Sequence, residues 1–332
     1  MARVELKDKE MMMLNGNVLE NFKTYVYKGI YHIIFDHMKR PYNFIDTQTL
    51  EELGTLISVV EKGNYKGVVF SSNKSTFIVG ANIKIFVTAH DASDETINGF
   101  LKGGQDLFNR IEDLPIPTCS IIKGTTMGGG LELALACTTR LLVKDPVPED
   151  PEYTTMQLTK LALPEVKLGI LPSWGGTTRL PRIIDPTKAI ELICTGRNVK
   201  QKEALKIGLV DGIVEYPKAF DAAYELIYNL SDKDMLKWAT IRNSKIGPTK
   251  LGKLRASITY PIVKYTIGKK QKKMFGDPNK YPSPYKALGV LKKTRTLGRD
   301  ESLELEREAF ISLVRSDECR ELVQKFLNGE RG

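Results

Sequence analysis

The chain has 332 residues, 42% of them apolar, and a net charge of +9, enough to bury a substantial core in one large domain or two smaller ones. No apolar run reaches the length of a membrane span, and the mixed-charge start MARVELKDKE resembles neither a secretory signal nor an acid-poor transit peptide. Four scattered cysteines (Cys119, Cys137, Cys194, Cys319) lack any CxxC spacing and three histidines (His32, His37, His90) are too few for a dedicated zinc cluster, so the expectation is a cytoplasmic protein without disulfides or a metal.

FKTYVYKGIYHIIFD, Phe22 to Asp36, reads as two short strands around a Lys28-Gly29 turn. Asp46 is placed to cap a helix through LEELGTLISVVEKG that stops at Gly63. GVVFSS (67–72) is expected as a buried strand, followed by a polar loop and FIVGANIKIF. A helix over 100–111 ends before the prolines at 115 and 117, and TCSIIKG (118–124) is the next strand. A helix from about Leu131 and an extended RLLVK (140–144) follow, then a Pro-rich acidic stretch, DPVPEDPEYTTMQ, expected as an exposed insertion. Beyond about Tyr216 amphipathic helices and lysine-rich turns replace the alternation, and the tail ESLELEREAFISLVRSDECRELVQKFLNG places its apolar residues on one helical face. Between Ser231 and Asp300 stand 18 Lys/Arg against four Asp, a balance of +14 that leaves −5 for the rest. Such a segment suits a phosphate-bearing ligand, nucleic acid, an anionic membrane or an acidic partner, and equally a solvated face.

The chemistry concentrates in GTTMGGGLELALAC, Gly124 to Cys137, where three glycines lead from a strand into a helix and Glu132 alone breaks the apolar run. Glycine permits close approach of a ligand to the backbone, and the first amides of a helix are unpaired and partly positive. An amide near Gly129 beside a carboxylate suits chemistry at the carbon next to a carbonyl. Taken singly, a tight strand–helix junction with an incidental Glu looks the same. FIVGAN (77–82) offers a second amide at a Gly-Ala step, and LPEVKLGILPSWGGTTRLPR (163–182) adds Glu165 after a proline and a Gly-Gly turn into a basic helix start.

These blocks, in this order and followed by CTGRNVKQKEALKIGLVDGIVE, resemble the enoyl-CoA hydratase/isomerase (crotonase) superfamily over about residues 20–215. Within it the chain is most similar to the hydratase part of the multifunctional alpha subunit of fatty acid oxidation. The segment YPSPYKALGVLKKTRTLGRDESLELEREAFISLVRSDECRELVQKFLNG resembles the helical linker after that hydratase. The resemblance implies an α/β fold, a spiral of ββα repeats over residues 1–216 with an insertion at about 145–158, then a helical linker-like region over 217–332. It implies hydration of trans-2-enoyl-CoA to 3-hydroxyacyl-CoA in β-oxidation, with 3,2-isomerase activity as a companion. Glu132 and Glu165 match the catalytic glutamates, and the amides of Val79 and Gly129 the oxyanion hole. Gly80, Ala81, Asn82 and Lys84 join Val79 and Gly129 as substrate-binding residues. Coenzyme A arrives as part of the acyl-CoA substrate, so no cofactor is expected, and without a G-x-G-x-x-G no NAD site is expected in this chain either. In the multifunctional relatives a dehydrogenase domain follows the linker. This chain ends at Gly332, as a shortened piece or a single-activity relative would.

Four departures stand out. Asn82 replaces the usual Asp of the AGAD-type loop, Val79 its first Ala, and Ser173-Trp174 brings an indole where small residues are usual. The spacing from Glu132 to Glu165 is also longer than in relatives, which the acidic insertion is expected to absorb. Ser71-x-x-Lys74 lacks the companion motifs of an acyl-serine enzyme, and LPSWG lacks the first glycine of a nucleophile elbow. The alternatives are another CoA-thioester isomerase of this superfamily, or a weakly catalytic scaffold whose basic segment binds RNA, a membrane or a partner enzyme. A thiolase or a second copy is a candidate partner; DNA is not.

Overall fold

The computed structural model describes residues 13–14, 17–146, 157–230, 232–243 and 281–330. Strands β1 (Phe22–Tyr27) and β2 (Ile30–Phe35) pair as an antiparallel hairpin in the register Phe22↔Phe35. Its turn holds Lys28 at φ +52° and Gly29 at φ +75°, the pair of positive dihedrals that suits the twist of a two-residue hairpin. Strands β3 (Gly67–Ser72), β4 (Thr118–Ile122), β6 (Thr139–Val143) and β8 (Gly212–Val214) extend the sheet in parallel, in the order β8-β6-β4-β3-β2-β1.

Parallel neighbours require crossovers, and helices supply them. Helix α1 (Thr47–Lys62) leads into β3, α2 (Lys84–Ala89) and α3 (Asp94–Glu112) into β4, and α4 (Gly129–Ala136) into β6. Asp46 caps α1 as expected, accepting from Thr49 N at 2.9 Å. Helix α3 starts six residues earlier than the apolar pattern suggests, because Ser93 caps it and accepts from Thr96 N at 3.2 Å. Val68, Phe70, Ile122 and Leu142 face the main core, while Val69, Cys119, Ile121, Leu141 and Val143 face the other side. There α8 (Ala219–Asn229) covers them with Ala219, Ala223, Tyr224 and Ile227. Burial on both faces is why these strands read as continuous apolar runs. All four cysteines are buried and unpaired.

The C-terminal helices return to this body. Helix α10 (Ser283–Thr294) packs on α5 (Gly176–Ile183) and α6 (Pro186–Thr195), and α11 (Arg299–Val314) on α3 and α5. Helix α12 (Asp317–Leu327) packs on the 3-10 turn Glu165–Leu168. The tail is therefore two helices where the apolar pattern reads as one. Ser316 ends the first run and caps the second, accepting from Cys319 N at 3.2 Å. The insertion is clamped at its ends, where Thr159 N and Oγ1 donate to Asp145 Oδ1 at 2.7 and 2.5 Å. Its residues 147–156, and most of the basic segment (244–280), lie outside the described residues. No helix among the described residues is long and apolar enough to cross a membrane.

A buried ion pair joins α5 to α3: Arg179 Nε donates to Glu112 Oε2 at 3.0 Å, with both side chains almost fully buried. Arg179 also donates to Trp174 O at 2.8 Å and Asn109 Oδ1 at 2.6 Å, while Arg299 from α11 reaches Glu112 Oε2 at 3.3 Å. Removing one member of a buried pair strands the other charge. Arg179→Met is expected to cost roughly 3 kcal/mol in urea unfolding, at the lower end of the usual range because Arg299 stays on Glu112.

Candidate active site

A short parallel ladder, β5 (Thr125–Met127) with β7 (Lys160–Ala162), sets the site. Its register places Met127 opposite Ala162, and Gly128 N donates to Ala162 O at 2.9 Å. Residues just after each strand, the start of α4 and the Pro164-Glu165 turn, are thus brought side by side. Gly128 turns the chain into α4 at φ +50°, and a Cβ there would lie 2.9 Å from Glu165 Oε1. Glu132 and Glu165 consequently line one cavity of about 580 Å³, measured out to its mouth. Gly80, Ala81, Gly129, Phe100, Trp174 and Phe310 are among the other residues of its wall.

Glu132 is held by the loop before α5: its Oε1 accepts from Trp174 N at 2.8 Å and Gly176 N at 2.7 Å. The intervening donors go to a third carboxylate, Glu306 of α11. Its Oε1 accepts from Gly175 N at 2.7 Å and Gln105 Nε2 at 3.2 Å. Its Oε2 accepts from Thr177 N at 2.9 Å and Thr177 Oγ1 at 2.5 Å. Four consecutive N–H groups, 174 to 177, therefore alternate between two buried acids. The alternation depends on Gly175, whose φ of +105° is left-handed. Sequence reasoning missed Glu306. The available signal was its place with Leu303 and Phe310 on the apolar face of α11, all three buried.

All three acids hold their protons unusually tightly. Burial raises Glu132 well above the ordinary carboxylate range, the charges of Glu165 and Glu306 add to it, and the Gly176 and Trp174 N–H groups oppose it. Glu165 is pushed up to about 8, chiefly by burial, and its Oε2 has no hydrogen-bond partner among the described residues. Glu306 is pushed up to about 7 by burial, against its Thr177 and Gly175 donors and the Arg179 charge. Among the described residues no group of His, Cys, Asp and Glu could hold a metal ion.

The other expected residues divide. The Val79 amide is not free to serve as an oxyanion donor, because it donates to Asn43 O at 2.9 Å; Val79 stays in the cavity wall. The parallel bridge Ile45↔Ala81 uses Gly80 O and Asn82 N, which leaves the backbone groups of Ala81 turned away from Ile45. Ala81 and Gly129 both line the cavity, and neither Ala81 N nor Gly129 N, in the first turn of α4, has an acceptor among the described residues. Gly80 lines the cavity, whereas Asn82 is not part of its wall and its amide donates to Ile45 O at 3.0 Å. Lys84 opens α2, and its side chain lies outside the described residues. Trp174 is 2% exposed, its ring edge-on to Phe100 and Phe108, and a Cβ on Gly129 would fall 2.5 Å from the indole.

Residues 26–260 match the sequence profile of the enoyl-CoA hydratase/isomerase family, more than half of the chain. The chain belongs to that family. Among solved structures it is similar to an enoyl-CoA hydratase from Bacillus anthracis, at 24% identity and TM-score 0.57, over 83% of this chain and 97% of that one. An enoyl-CoA hydratase from Bacillus halodurans matches at 20% identity and TM-score 0.61, over 92% and 99%. A carnitinyl-CoA dehydratase from Mycobacterium thermoresistibile matches at 17% identity and TM-score 0.67, over 93% and 90%. Likeness at these identities establishes the fold, the α/β body and C-terminal helices of the hydratase/isomerase family.

A carboxyl whose folded pKa is near 8 against an ordinary 4.5 leaves the unfolded chain holding fewer protons between those values. Stability from this group is therefore full below about pH 4.5 and lost as pH rises through 8. Glu165→Gln removes that dependence. The variant is expected to gain at least about 1 kcal/mol over the wild type at pH 8 relative to pH 5, read from urea unfolding at both.

Proposed function

We propose that the protein hydrates trans-2-enoyl-CoA thioesters to 3-hydroxyacyl-CoA. The observation that carries this is the convergence of Glu132 and Glu165 on one cavity edged by the amides of Ala81 and Gly129. A thioester oxygen accepting from both amides gains stabilisation as it becomes negative, and losing one such donor costs about 3–4 kcal/mol of barrier. Ala81 takes this role in place of Val79, whose N–H is already spent on Asn43 O.

Two buried like charges cannot both ionise cheaply, so the acid pair carries one proton between its members. Two N–H donors on Glu132 Oε1 favour its anion, so the proton is assigned to Glu165. Glu132 then takes a proton from water as the water oxygen bonds to C3 of the enoyl group. Glu165 gives its proton to C2, and the double bond becomes the new C–H bond. The pair ends with the same proton count on exchanged members, and solvent restores the starting arrangement once product leaves. An oxidisable 3-hydroxyacyl-CoA is the form a β-oxidation sequence requires next.

Glu132→Gln and Glu165→Gln are each expected to lower crotonyl-CoA hydration by roughly 100- to 10,000-fold, followed as loss of enoyl-thioester absorbance. Near-wild-type turnover in either variant refutes the mechanism. Conversion of 3-enoyl-CoA without any hydration moves the assignment to isomerisation, which needs a proton shuttle and no water. Because the indole lies against Gly129, an acyl chain held there must pass Trp174. In a series of enoyl-CoA lengths, Trp174→Ala should raise kcat/KM for long chains relative to crotonyl-CoA by roughly tenfold or more, the worth of a single methylene in an apolar pocket.

A further inference from the structure

We propose that Glu306, from the C-terminal helix α11, is a positioning residue for the acid pair: it holds the 174–177 turn in the shape that aims Glu132, and its charge sets the pH range over which the pair works. This rests on hydration at Glu132 and Glu165. Glu306 is fully buried, outside the cavity wall, and every polar atom bonded to it is a donor. Gln105 cannot reverse its amide to present oxygen. Its Nε2 is also shared with Ser173 O at 2.9 Å and Leu303 O at 3.1 Å, and its Oε1 accepts from Arg307. Glu306 therefore accepts through both oxygens, the role of the ionised form.

The charged groups around it come from three other elements. Glu132 on α4 and Glu165 on the 3-10 turn feel it as a like charge, and Arg179 and Arg182 on α5 as an opposite one. From α3 only the neutral Gln105 reaches it among the described hydrogen bonds, and Arg307 on its own helix is engaged with Gln105. A buried anchor that merely tied α11 to α5 needs hydrogen bonds of this kind, yet has no reason to share alternate donors with the residue that touches substrate. Because the two acids take alternate donors from one turn, displacing either re-aims the other.

The test is the pH dependence of crotonyl-CoA hydration by the full chain, as wild type, Glu306→Gln and Thr177→Val. Glutamine keeps the size of the side chain, loses one of its two accepting oxygens and removes the charge, which relieves the like-charge repulsion on Glu132 and Glu165. Both limbs of the kcat/KM profile are expected to move to lower pH by roughly one unit, with kcat falling and KM for crotonyl-CoA little changed. Thr177→Val removes one donor from Glu306 Oε2, eases its protonation, and should shift both limbs the same way by less. It also serves if Glu306→Gln does not fold. A uniform fall in rate with unmoved limbs, or unchanged profiles, overturns the proposal. Titration of carboxyl-13C-glutamate by NMR, without substrate, separates the two assignments. Lower titration of Glu132 and Glu165 in the variant, in a protein that does not hydrate, sinks the hydratase assignment and leaves the coupling standing. Hydration with unmoved titrations sinks the coupling alone.

Discussion

Two buried carboxylates drawing on alternate N–H groups of one four-residue turn hold this structure's centre together. Taking a carboxylate out of water costs several kcal/mol, and each charge-assisted hydrogen bond returns about 1.5–3 kcal/mol. Neither Glu132 nor Glu306 could be buried on packing alone; each needs the donors it takes from residues 174–177. The turn in turn needs both acids, since four adjacent amide groups pointing into a core have no water to satisfy them. The loop, α4 and α11 are thus one polar unit inside an apolar shell, braced from outside by Arg179 and Glu112.

That unit explains why a site can be both rigid and electrostatically poised. Burial, with the like charges of neighbouring acids adding to it at Glu132 and Glu165, keeps a proton in the cavity at neutral pH, where an isolated glutamate would have lost it. The donors of the 174–177 turn hold Glu132 and Glu306 in place, so neither turns away from the other acids. The apolar wall of Phe100, Trp174 and Phe310 keeps the local dielectric low and so strengthens every charge–charge term.

Much of this was legible beforehand, and for definable reasons. Glu132 stood out because it alone breaks the apolar run after three glycines, and Glu165 because it follows a proline ahead of a Gly-Gly turn; the hairpin at Lys28-Gly29 and the Asp46 cap carry local signals that tertiary packing does not override. Three features escaped. The donor at Ala81 depends on which strand edge faces Ile45, a matter of pairing parity that the run FIVGAN does not encode. Ser316 is one polar residue in a helical pattern, and only its hydrogen bond to Cys319 N marks it as a break. Glu306 sits 174 positions from Glu132, and contacts at that separation leave no trace in periodicity.

The ladder that joins Met127 to Ala162 carries a further implication for how the chain tolerates change. Between these strands the acidic stretch departs and returns through Asp145 and Thr159, whose hydrogen bonds close its neck. The entropy of closing such a loop grows only with the logarithm of its length. Chain added or deleted between the neck residues is therefore cheap, while the register of the ladder continues to hold Met127 opposite Ala162. A foreign module is best grafted between Asp145 and Gln157, since Gln157 already returns to the ladder, accepting from Thr125 Oγ1 at 3.2 Å.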